Sequence, residues 1–234
     1  MLKICIIMGG VMPVPAVCGG AIETLVTSIV KKHSSEDGFR LMVCSVWHPD
    51  AVKTAMKYPD VKFFWTHTRR IKYLFMHAIF LIVRMITGKS IRPLQRHYNE
   101  IAKLFREESF DLIIAEGGDT QAIIDIAKGY RREQFVNHIH IHYLPPENIA
   151  ENYGHMIGVS EFVTNEYMKA CKAPVKAHTL KNAIDTDKFN KEVTQKEREA
   201  LREKLGLSKE DFVILFVGRI MEIKGVLELM KAVI

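Results

Sequence analysis

The sequence lacks the cysteine patterns of a disulfide scaffold or a cysteine-based metal module. Only four of its 234 residues are cysteines, and they show neither metal-type nor redox-type spacing: Cys5, Cys18, Cys44 and Cys171. Because thiols stay reduced in the cytosol, this usage favours a cytoplasmic protein. Internal repeats and low-complexity tracts are also missing, so nothing indicates a repeat architecture.

We expect neither a cleavable leader nor a membrane-spanning run. Met1-Leu2-Lys3 precedes an apolar stretch, but Gly9-Gly10 and Pro13 interrupt it, and Val17 stands before Cys18 where a lipoprotein signal has a small residue. A first strand followed by a glycine loop explains the pattern better. The apolar segment 73–86 is about fourteen residues long, includes an arginine, and is too short to span a bilayer.

Acidic residues are scarce in one segment. Between positions 62 and 106 there are ten Lys or Arg residues and a single acid, Glu100, which leaves 23 basic and 26 acidic residues elsewhere. The net charge of +6 therefore arises from this segment alone, which indicates a local anionic partner. With 48% hydrophobic and 26% charged residues, the chain is globular and can bury a substantial core.

Short apolar runs alternate with amphipathic stretches along the chain. The pattern predicts strands over 2–8, 41–46, 61–65, 111–115, 136–142, 156–159, 175–180 and 212–217. It predicts helices over 21–33, 73–86, 93–108 and 120–130, from 160, over 194–205 and from 226. This alternation indicates the α/β class: a Rossmann-like, doubly wound parallel sheet that binds ligands at the carboxyl ends of its strands.

The chain is predicted to divide into a first domain over 1–182, a polar linker over 183–211, and the start of a second Rossmann-like domain over 212–234. In the last segment an apolar run is followed by Gly218-Arg219, then by Lys224-Gly225 and a helix. Glycines, a helix N-terminus and two cations are the components of an anion site. The alternative is that Arg219 and Lys224 are solvated surface cations.

Four motifs in order resemble those of the family-4 glycosyltransferases of the GT-B fold. They are Gly19-Gly20-Ala21-Ile22-Glu23, Val159-Ser160-Glu161-Phe162-Val163, Asn182-Ala183-Ile184-Asp185-Thr186-Asp187-Lys188-Phe189, and Val217-Gly218-Arg219 with Lys224-Gly225. Ala183 replaces the glycine usual in the third motif, where Asn182 and Asp185 are better explained as turn residues. Ser160-Glu161 is better explained as a helix N-cap with an acidic first turn.

The resemblance implies two facing Rossmann-like domains and retaining sugar transfer, without a cofactor or a required metal. Residues 1–182 would be the acceptor-side domain and 212–234 the incomplete start of the nucleotide-sugar-binding domain. Arg219 and Lys224 would hold the donor phosphates, with Gly19 and Gly20 approaching them from the opposite wall. Fixed cations and helix N-termini can stabilise a departing diphosphate without metal.

Three histidines alternate along one predicted strand and therefore point to the same face: His138, His140 and His142. They could chelate a metal, but we expect no carboxylate or cysteine nearby to complete the set, and so no metal site. The resemblance implies that a histidine at the end of this strand lines the cleft near the transferred sugar. His142 fits best and His140 second; the alternative is a core histidine bonded to backbone.

The basic segment surrounds a predicted helix that is apolar nearly all round. Four of its cations are candidates for contact with a membrane or an acceptor: Arg69, Arg70, Lys72 and Arg84. Aromatic and apolar groups flanked by cations suit an anionic lipid surface. The alternatives are a core helix with a basic rim and a protein–protein face. No nucleic-acid-binding motif is recognisable, so nucleic acid is not an expected partner.

The residues and the resemblance together predict a glycosyltransferase of bacterial surface polysaccharide biosynthesis, such as capsule or lipopolysaccharide. It would move a sugar with retention from a nucleotide sugar to a lipid-linked or glycan acceptor, peripherally at the inner face of the cell membrane. The glutamate pair of the donor domain should lie beyond Ile234, so we expect little activity from this chain as it stands. The alternatives are a non-catalytic membrane- or partner-binding module and another GT-B or epimerase-type enzyme.

Overall fold

The structure, a computed structural model, describes residues 1–67, 95–126, 128–141, 150–172, 174–218 and 220–233. The chain divides into two compact units, Met1–Ile184 and Asp185–Ile234, and each is described by itself. The limits predicted from the sequence, at 182 and 211, stay predictions.

The first unit contains a seven-stranded sheet in which every pair of neighbours is parallel. Its strands are β1 (Leu2–Met8), β2 (Phe39–Val46), β3 (Val61–Thr66), β4 (Leu112–Glu116), β5 (Phe135–Ile139), β6 (His155–Gly158) and β7 (Lys176–Thr179). They lie in the order β3-β2-β1-β4-β5-β6-β7. The order reverses between β1 and β4, the position at which doubly wound sheets bind ligands. The predicted α/β, Rossmann-like fold class is confirmed.

Eight α-helices are described. In the first unit these are α1 (Ala21–Lys32), α2 (Pro49–Ala55), α3 (Gln95–Glu107), α4 (Thr120–Ile126) and α5 (Glu161–Ala170). In the second unit they are α6 (Thr186–Phe189), α7 (Gln195–Lys204) and α8 (Val226–Val233). Several begin at side-chain caps, because the first N–H groups of a helix have no partner within it. Ser160 accepts a hydrogen bond from the Val163 amide at 3.2 Å, which confirms its predicted role as an N-cap.

The core lies on both faces of the sheet, because alternate side chains of the buried strand β1 point to opposite sides. Cys5 and Ile7 belong to one buried cluster, which includes Tyr98 and Ile101 of α3. Ile6 and Met8 belong to the other, which α1 covers with its own apolar side chains. Both faces of β1 are therefore fixed, and with them the position of its carboxyl end.

Two sequence predictions differ from the structure. The short helix α2 was not predicted, because it has only seven residues and its buried face consists of two alanines, Ala51 and Ala55. The predicted strand at 212–217 does not form, and Phe212 is 90% exposed. A strand needs a neighbour to accept and donate its backbone hydrogen bonds, and this segment pairs with no strand in the described part of the chain.

The four cations predicted to contact a membrane, Arg69, Arg70, Lys72 and Arg84, lie outside the described residues. Two other cations of the basic segment are paired: Lys62 with Glu108, and Arg96 Nε with Glu100 at 2.8 Å. Within the described ranges, no helix combines the length and the apolar character needed to cross a membrane.

Candidate functional site

The loops that follow β1 and β4 meet at the carboxyl edge of the sheet, where the strand order reverses. A Cβ added at Gly9 would lie 3.3 Å from the Gly118 nitrogen. A Cβ at Gly118 would lie 2.9 Å from the Gly9 Cα and 2.4 Å from the Tyr98 hydroxyl. That hydroxyl accepts a hydrogen bond from the Asp119 amide at 2.7 Å. Glycine is therefore required here for close packing of the two loops.

His97 of α3 connects the end of β1 with the end of β3 through two hydrogen bonds. Its Nε2–H donates to the Met8 carbonyl at 2.9 Å, so its Nδ1 is left to accept from the Thr66 hydroxyl, 2.6 Å away. Burial lowers the pKa of His97, outweighing the Met8 hydrogen bond and the charge of Glu100, which raise it. The imidazole is thus held neutral. A Cβ at Gly10 would lie 2.7 Å from its ring, so Gly10 is also a packing glycine.

The loop from Gly9 to Gly20 is held at two points along its length. The Val14 amide donates to the Ser45 hydroxyl on β2 at 2.8 Å, and the Ala16 amide donates to the Thr27 hydroxyl on α1 at 2.9 Å. Val14 is itself fully buried. The loop is therefore fixed to both a strand and a helix before it reaches the start of α1.

The Gly19-Gly20 pair differs from the other glycines of this edge. Gly19 has φ +81°, and a Cβ there would meet no atom of the described residues within 4 Å. Gly20 has φ +97° and precedes α1 without a side-chain cap. A Cβ on Gly20 would lie 2.0 Å from a carboxylate oxygen of Glu23. The N-terminus of α1 is thus open beside Gly19, with the Glu23 carboxylate close to its first turn.

Three ionisable side chains lie together at the ends of β4 and β5. Glu116 is the last residue of β4, and the parallel register places His138 directly beside it. His138 Nδ1 lies 3.0 Å from one carboxylate oxygen of Glu116, and His140 Nε2 lies 2.7 Å from the other. The side chains of Glu116, His138 and His140 are 2%, 5% and 9% exposed. The two imidazole rings are 4.1 Å apart.

Burial alone would raise the pKa of the Glu116 carboxyl. The hydrogen bonds and charges of His138 and His140 act in the opposite direction and together prevail, so the pKa lies below its ordinary value. Glu116 is therefore ionised and accepts a hydrogen bond from each imidazole. His138 Nε2 is buried and has no hydrogen-bond partner among the described residues.

This cluster corrects one sequence prediction and supports another. The expectation that no carboxylate lies near the histidines is wrong, because Glu116 contacts both. The prediction that His138 and His140 share a face is confirmed. The missed signal was the acid at the end of β4, which becomes a neighbour of His138 once β4 and β5 are paired. His142 lies outside the described residues, and the catalytic role given to His140 stays a prediction.

The predicted phosphate-binding residues lie in different units. Gly19 and Gly20 belong to the first unit, whereas Lys224 is in the second, at the end of the 3₁₀ helix Glu222–Lys224. Gly225 follows with φ +69°, and α8 begins at Val226. The predicted glycine turn and helix start are thus present. Arg219 lies outside the described residues.

Comparisons with known proteins identify the fold. No protein-family model matches the sequence, and no curated protein matches it. Among solved structures, a glycosyltransferase from Rickettsia africae matches with a TM-score of 0.64 and 17% identity, over 99% of this chain and 56% of its own. Anabaena HepE in complex with UDP and glucose matches with a TM-score of 0.53 and 15% identity, over 88% of this chain and 50% of its own.

A second HepE structure, in complex with UDP-glucose, matches with a TM-score of 0.53 and 14% identity. This chain spans about half the length of these proteins: the matches include 50% of HepE and 56% of the Rickettsia glycosyltransferase. At such identities the similarity shows the fold alone. The chain therefore has a glycosyltransferase-like, Rossmann-type α/β fold.

Proposed function

We propose that this chain is the acceptor-side part of a glycosyltransferase that uses a nucleotide sugar as donor. The observation that carries the proposal is the carboxyl edge of the sheet, where the loop ending in Gly19-Gly20 leads into α1 and the space beside Gly19 holds no atom of the described residues within 4 Å of an added Cβ. The fold similarity to a glycosyltransferase and to HepE bound to UDP-glucose supports this assignment.

The start of α1 has the properties that a diphosphate needs. The first amides of a helix point out of its N-terminus without a partner in the helix, and the helix dipole adds positive potential there. Because Gly19 carries no side chain and the space around it is open, an anion can approach these amides closely. The tethers at Val14 and Ala16 hold the loop in place for that approach.

The finer parts of the proposal follow the sequence motifs. Arg219 and Lys224 would contact the donor phosphates, and His142 or His140 would line the cleft near the transferred sugar. Transfer would proceed with retention and without a required metal, to a lipid-linked or glycan acceptor of bacterial surface polysaccharide. The protein would work peripherally at the inner face of the cell membrane.

Equilibrium binding of nucleotide sugars tests the proposal directly. The chain is titrated with a panel that begins with UDP-glucose, by calorimetry, and is compared with the Gly19→Val variant. Binding is the preferred readout because the chain spans only about half the length of the matched proteins. We expect Gly19→Val to weaken binding at least about tenfold, since a branched side chain beside the helix start excludes the phosphates.

Gly38→Val is a matched control. Gly38 has φ +79°, close to the +81° of Gly19, and a Cβ there also meets nothing within 4 Å among the described residues. Both variants carry similar backbone strain, but Gly38 precedes β2 and not a helix start. Binding that is absent across the whole panel, or weakened equally by both variants, would contradict the proposal.

Membrane contact rests on the charge of the 62–106 segment and has its own experiment. Anionic vesicles are floated with the chain and with a variant in which Arg69, Arg70 and Lys72 are replaced by serine. We expect the variant to lose most of its vesicle binding, because each cation near anionic lipid contributes about 1 kcal/mol. A control variant neutralises three cations of α7: Lys196, Arg198 and Lys204. If both variants float equally, membrane contact through these cations is contradicted, and the alternative of a core helix with a basic rim is favoured.

A further inference from the structure

The buried cluster at the ends of β4 and β5 has a chemistry that goes beyond the cleft-lining role proposed for His140. We propose that Glu116, His138 and His140 form a binding site for one divalent transition-metal ion, with Zn²⁺ as the best match. The inference does not depend on sugar transfer, because it rests only on the three side chains and their geometry.

The geometry is that of three converging ligands. One nitrogen of each histidine and one carboxylate oxygen all lie within 4.8 Å of one another. Ligand atoms around a tetrahedral zinc are separated by roughly 3.3 Å, given metal–ligand distances of about 2.0–2.2 Å. His138 Nδ1 lies 3.0 Å from one Glu116 oxygen and His140 Nε2 lies 2.7 Å from the other, distances slightly shorter than that spacing.

The backbone that carries these ligands lies at the ends of two paired strands. Glu116 and His138 are paired neighbours in adjacent parallel strands, and His140 follows His138 by two residues on the same face. All of β5 and most of β4 are buried, so we expect their ends to have little freedom to move apart. Ligands that are positioned by folding bind an ion without a further ordering cost.

The donor set is characteristic of zinc. Two imidazole nitrogens and one carboxylate oxygen are a known three-ligand set for this ion, which leaves a fourth position for water or another ligand. Magnesium and calcium prefer sites made of oxygen alone. One carboxylate also offsets half of the charge of a divalent ion, which matters because the side chains of Glu116 and His138 are almost fully buried.

Metal binding would change the protonation of the imidazoles. In the metal-free arrangement each histidine donates an N–H to Glu116 through the nitrogen that faces the carboxylate. An ion needs the lone pair of that nitrogen, so the proton must move to the other ring nitrogen or leave. For His138 the other nitrogen is buried without a partner in the described part of the chain.

The lack of an outer partner for His138 Nε2 among the described residues bears on the expected strength of the site. Partners that accept the second N–H of a metal-bound histidine typically improve metal affinity by 10- to 100-fold. We therefore expect an exchangeable ion that EDTA removes readily, bound more weakly than in a complete structural zinc site.

In the experiment, the chain is first stripped of metal with EDTA and then titrated with Zn²⁺. A chromophoric chelator competes for the ion and reports how tightly the chain binds it. We expect one ion per chain, and an affinity that falls at least about tenfold in Glu116→Gln and in His140→Asn. Replacement by Co²⁺ reports the coordination independently, because a four-coordinate tetrahedral Co²⁺ site absorbs visible light more strongly than the six-coordinate aqueous ion. Circular dichroism shows whether each variant is folded, and His140→Asn, at the rim of the cluster, serves if Glu116→Gln does not fold.

A second histidine pair provides the matched control. His155 of β6 and His178 of β7 stack with their rings 6.2 Å apart, and among the described residues neither belongs to a group of three side chains that converge as metal ligands. His178→Asn should leave both the stoichiometry and the affinity unchanged. If the stripped chain binds no Zn²⁺, or if folded Glu116→Gln and His140→Asn bind it as well as the unmodified chain, the cluster is a hydrogen-bonded network only and the inference is wrong.

Discussion

Two glycine pairs lie where the loops after β1 and β4 meet, and a third pair lies at the start of α1. Glycine has a different role in these two regions. At the junction, the Gly9-Gly10 and Gly117-Gly118 loops pack so closely that an added Cβ at Gly118 would overlap the Tyr98 hydroxyl. At the helix start, Gly19 has a similar positive φ but faces open space. One region excludes side chains because protein atoms are already there, and the other leaves room for a ligand.

The comparison teaches that a glycine pair in a sequence does not identify a binding loop. What distinguishes the two regions is the distance to residues far along the chain: Gly9 and Gly118 meet across more than a hundred positions, and His97 fills the space beside Gly10. Stability and ligand binding should therefore respond differently to substitutions in the two regions.

Gly118→Ala should have the largest effect. Overpacking against Tyr98 and Gly9 costs about 1–3 kcal/mol, and the left-handed backbone of this position, with φ +92°, adds about 1–2 kcal/mol for a residue with a Cβ. We expect the free energy of unfolding in urea to fall by about 2–5 kcal/mol. Gly129→Ala is the control, with φ +109° and no described atom within 4 Å of its Cβ. An equal loss in both variants would contradict close packing at the junction.

Gly19→Ala should be much milder. Only the backbone strain at φ +81° remains, so the free energy of unfolding should fall by about 1–2 kcal/mol. Gly38→Ala, at φ +79°, should lose the same amount to within about 0.5 kcal/mol. Urea denaturation of the two variants side by side measures this. A loss at Gly19 as large as that of Gly118→Ala would show that the helix start is packed and not open.

His97 should make the junction sensitive to acid. Because burial lowers its pKa in the folded state, the unfolded chain takes up a proton at a higher pH than the folded chain does. The contribution to stability is complete above the unfolded-state pKa of about 6.5 and is lost as the pH falls below it, until the lowered folded-state pKa is passed. The slope from one proton is at most about 1.4 kcal/mol per pH unit.

Urea denaturation between pH 7.5 and pH 4.5 tests this, at roughly half-unit steps across the window set by the unfolded-state pKa. His97→Gln should be less stable throughout but should lose the part of the slope that His97 supplies. Thr66→Val removes the hydroxyl that faces Nδ1 and keeps the buried imidazole, so its slope should persist. An unchanged slope in His97→Gln would contradict the assignment of a neutral, buried histidine at this junction.

Glu23→Gln should have the smallest effect. It should lower the stability of the chain and raise its affinity for an anion. The carboxylate near the first turn of α1 stabilises the helix by about 0.3–1 kcal/mol, so its loss should lower stability by that amount. A bound anion at the start of α1 no longer competes with the Glu23 carboxylate. The affinity for pyrophosphate should therefore rise about two- to fivefold. Glu197→Gln, in the first turn of α7, should lower stability without changing pyrophosphate binding. No gain in affinity would show that Glu23 does not cover the anion site.

Local pattern predicted most of the fold. Strands β1 to β7 lie within or close to the predicted strands, and helices follow Ser160 and Thr194, where helices over 194–205 and from 160 were predicted. These features depend on side-chain periodicity and on hydrogen bonds within a few residues, so one segment is enough to read them. The strand predicted at 212–217 depended on a pairing partner, which no local pattern supplies.

The candidate site was less predictable because it depends on register. The shared face of His138 and His140 follows from the alternation of a strand, but the contact with Glu116 requires β4 and β5 to be paired with Glu116 beside His138. A shift of one residue would turn the histidines away from the acid. The contact of Gly9 with Gly118 likewise arises from the sheet order and could not be inferred from either loop alone.

The two tethers of the Gly9–Gly20 loop have a consequence for the kinetics of backbone opening. The Val14 and Ala16 amides donate to side chains of β2 and α1, so their exchange with deuterated water requires the loop to detach. Long glycine- and proline-containing loops usually exchange within seconds, whereas these amides should be protected like those of the sheet. We therefore expect the loop to be ordered when the chain folds, so that the anion proposed to bind at α1 would meet a surface already in place.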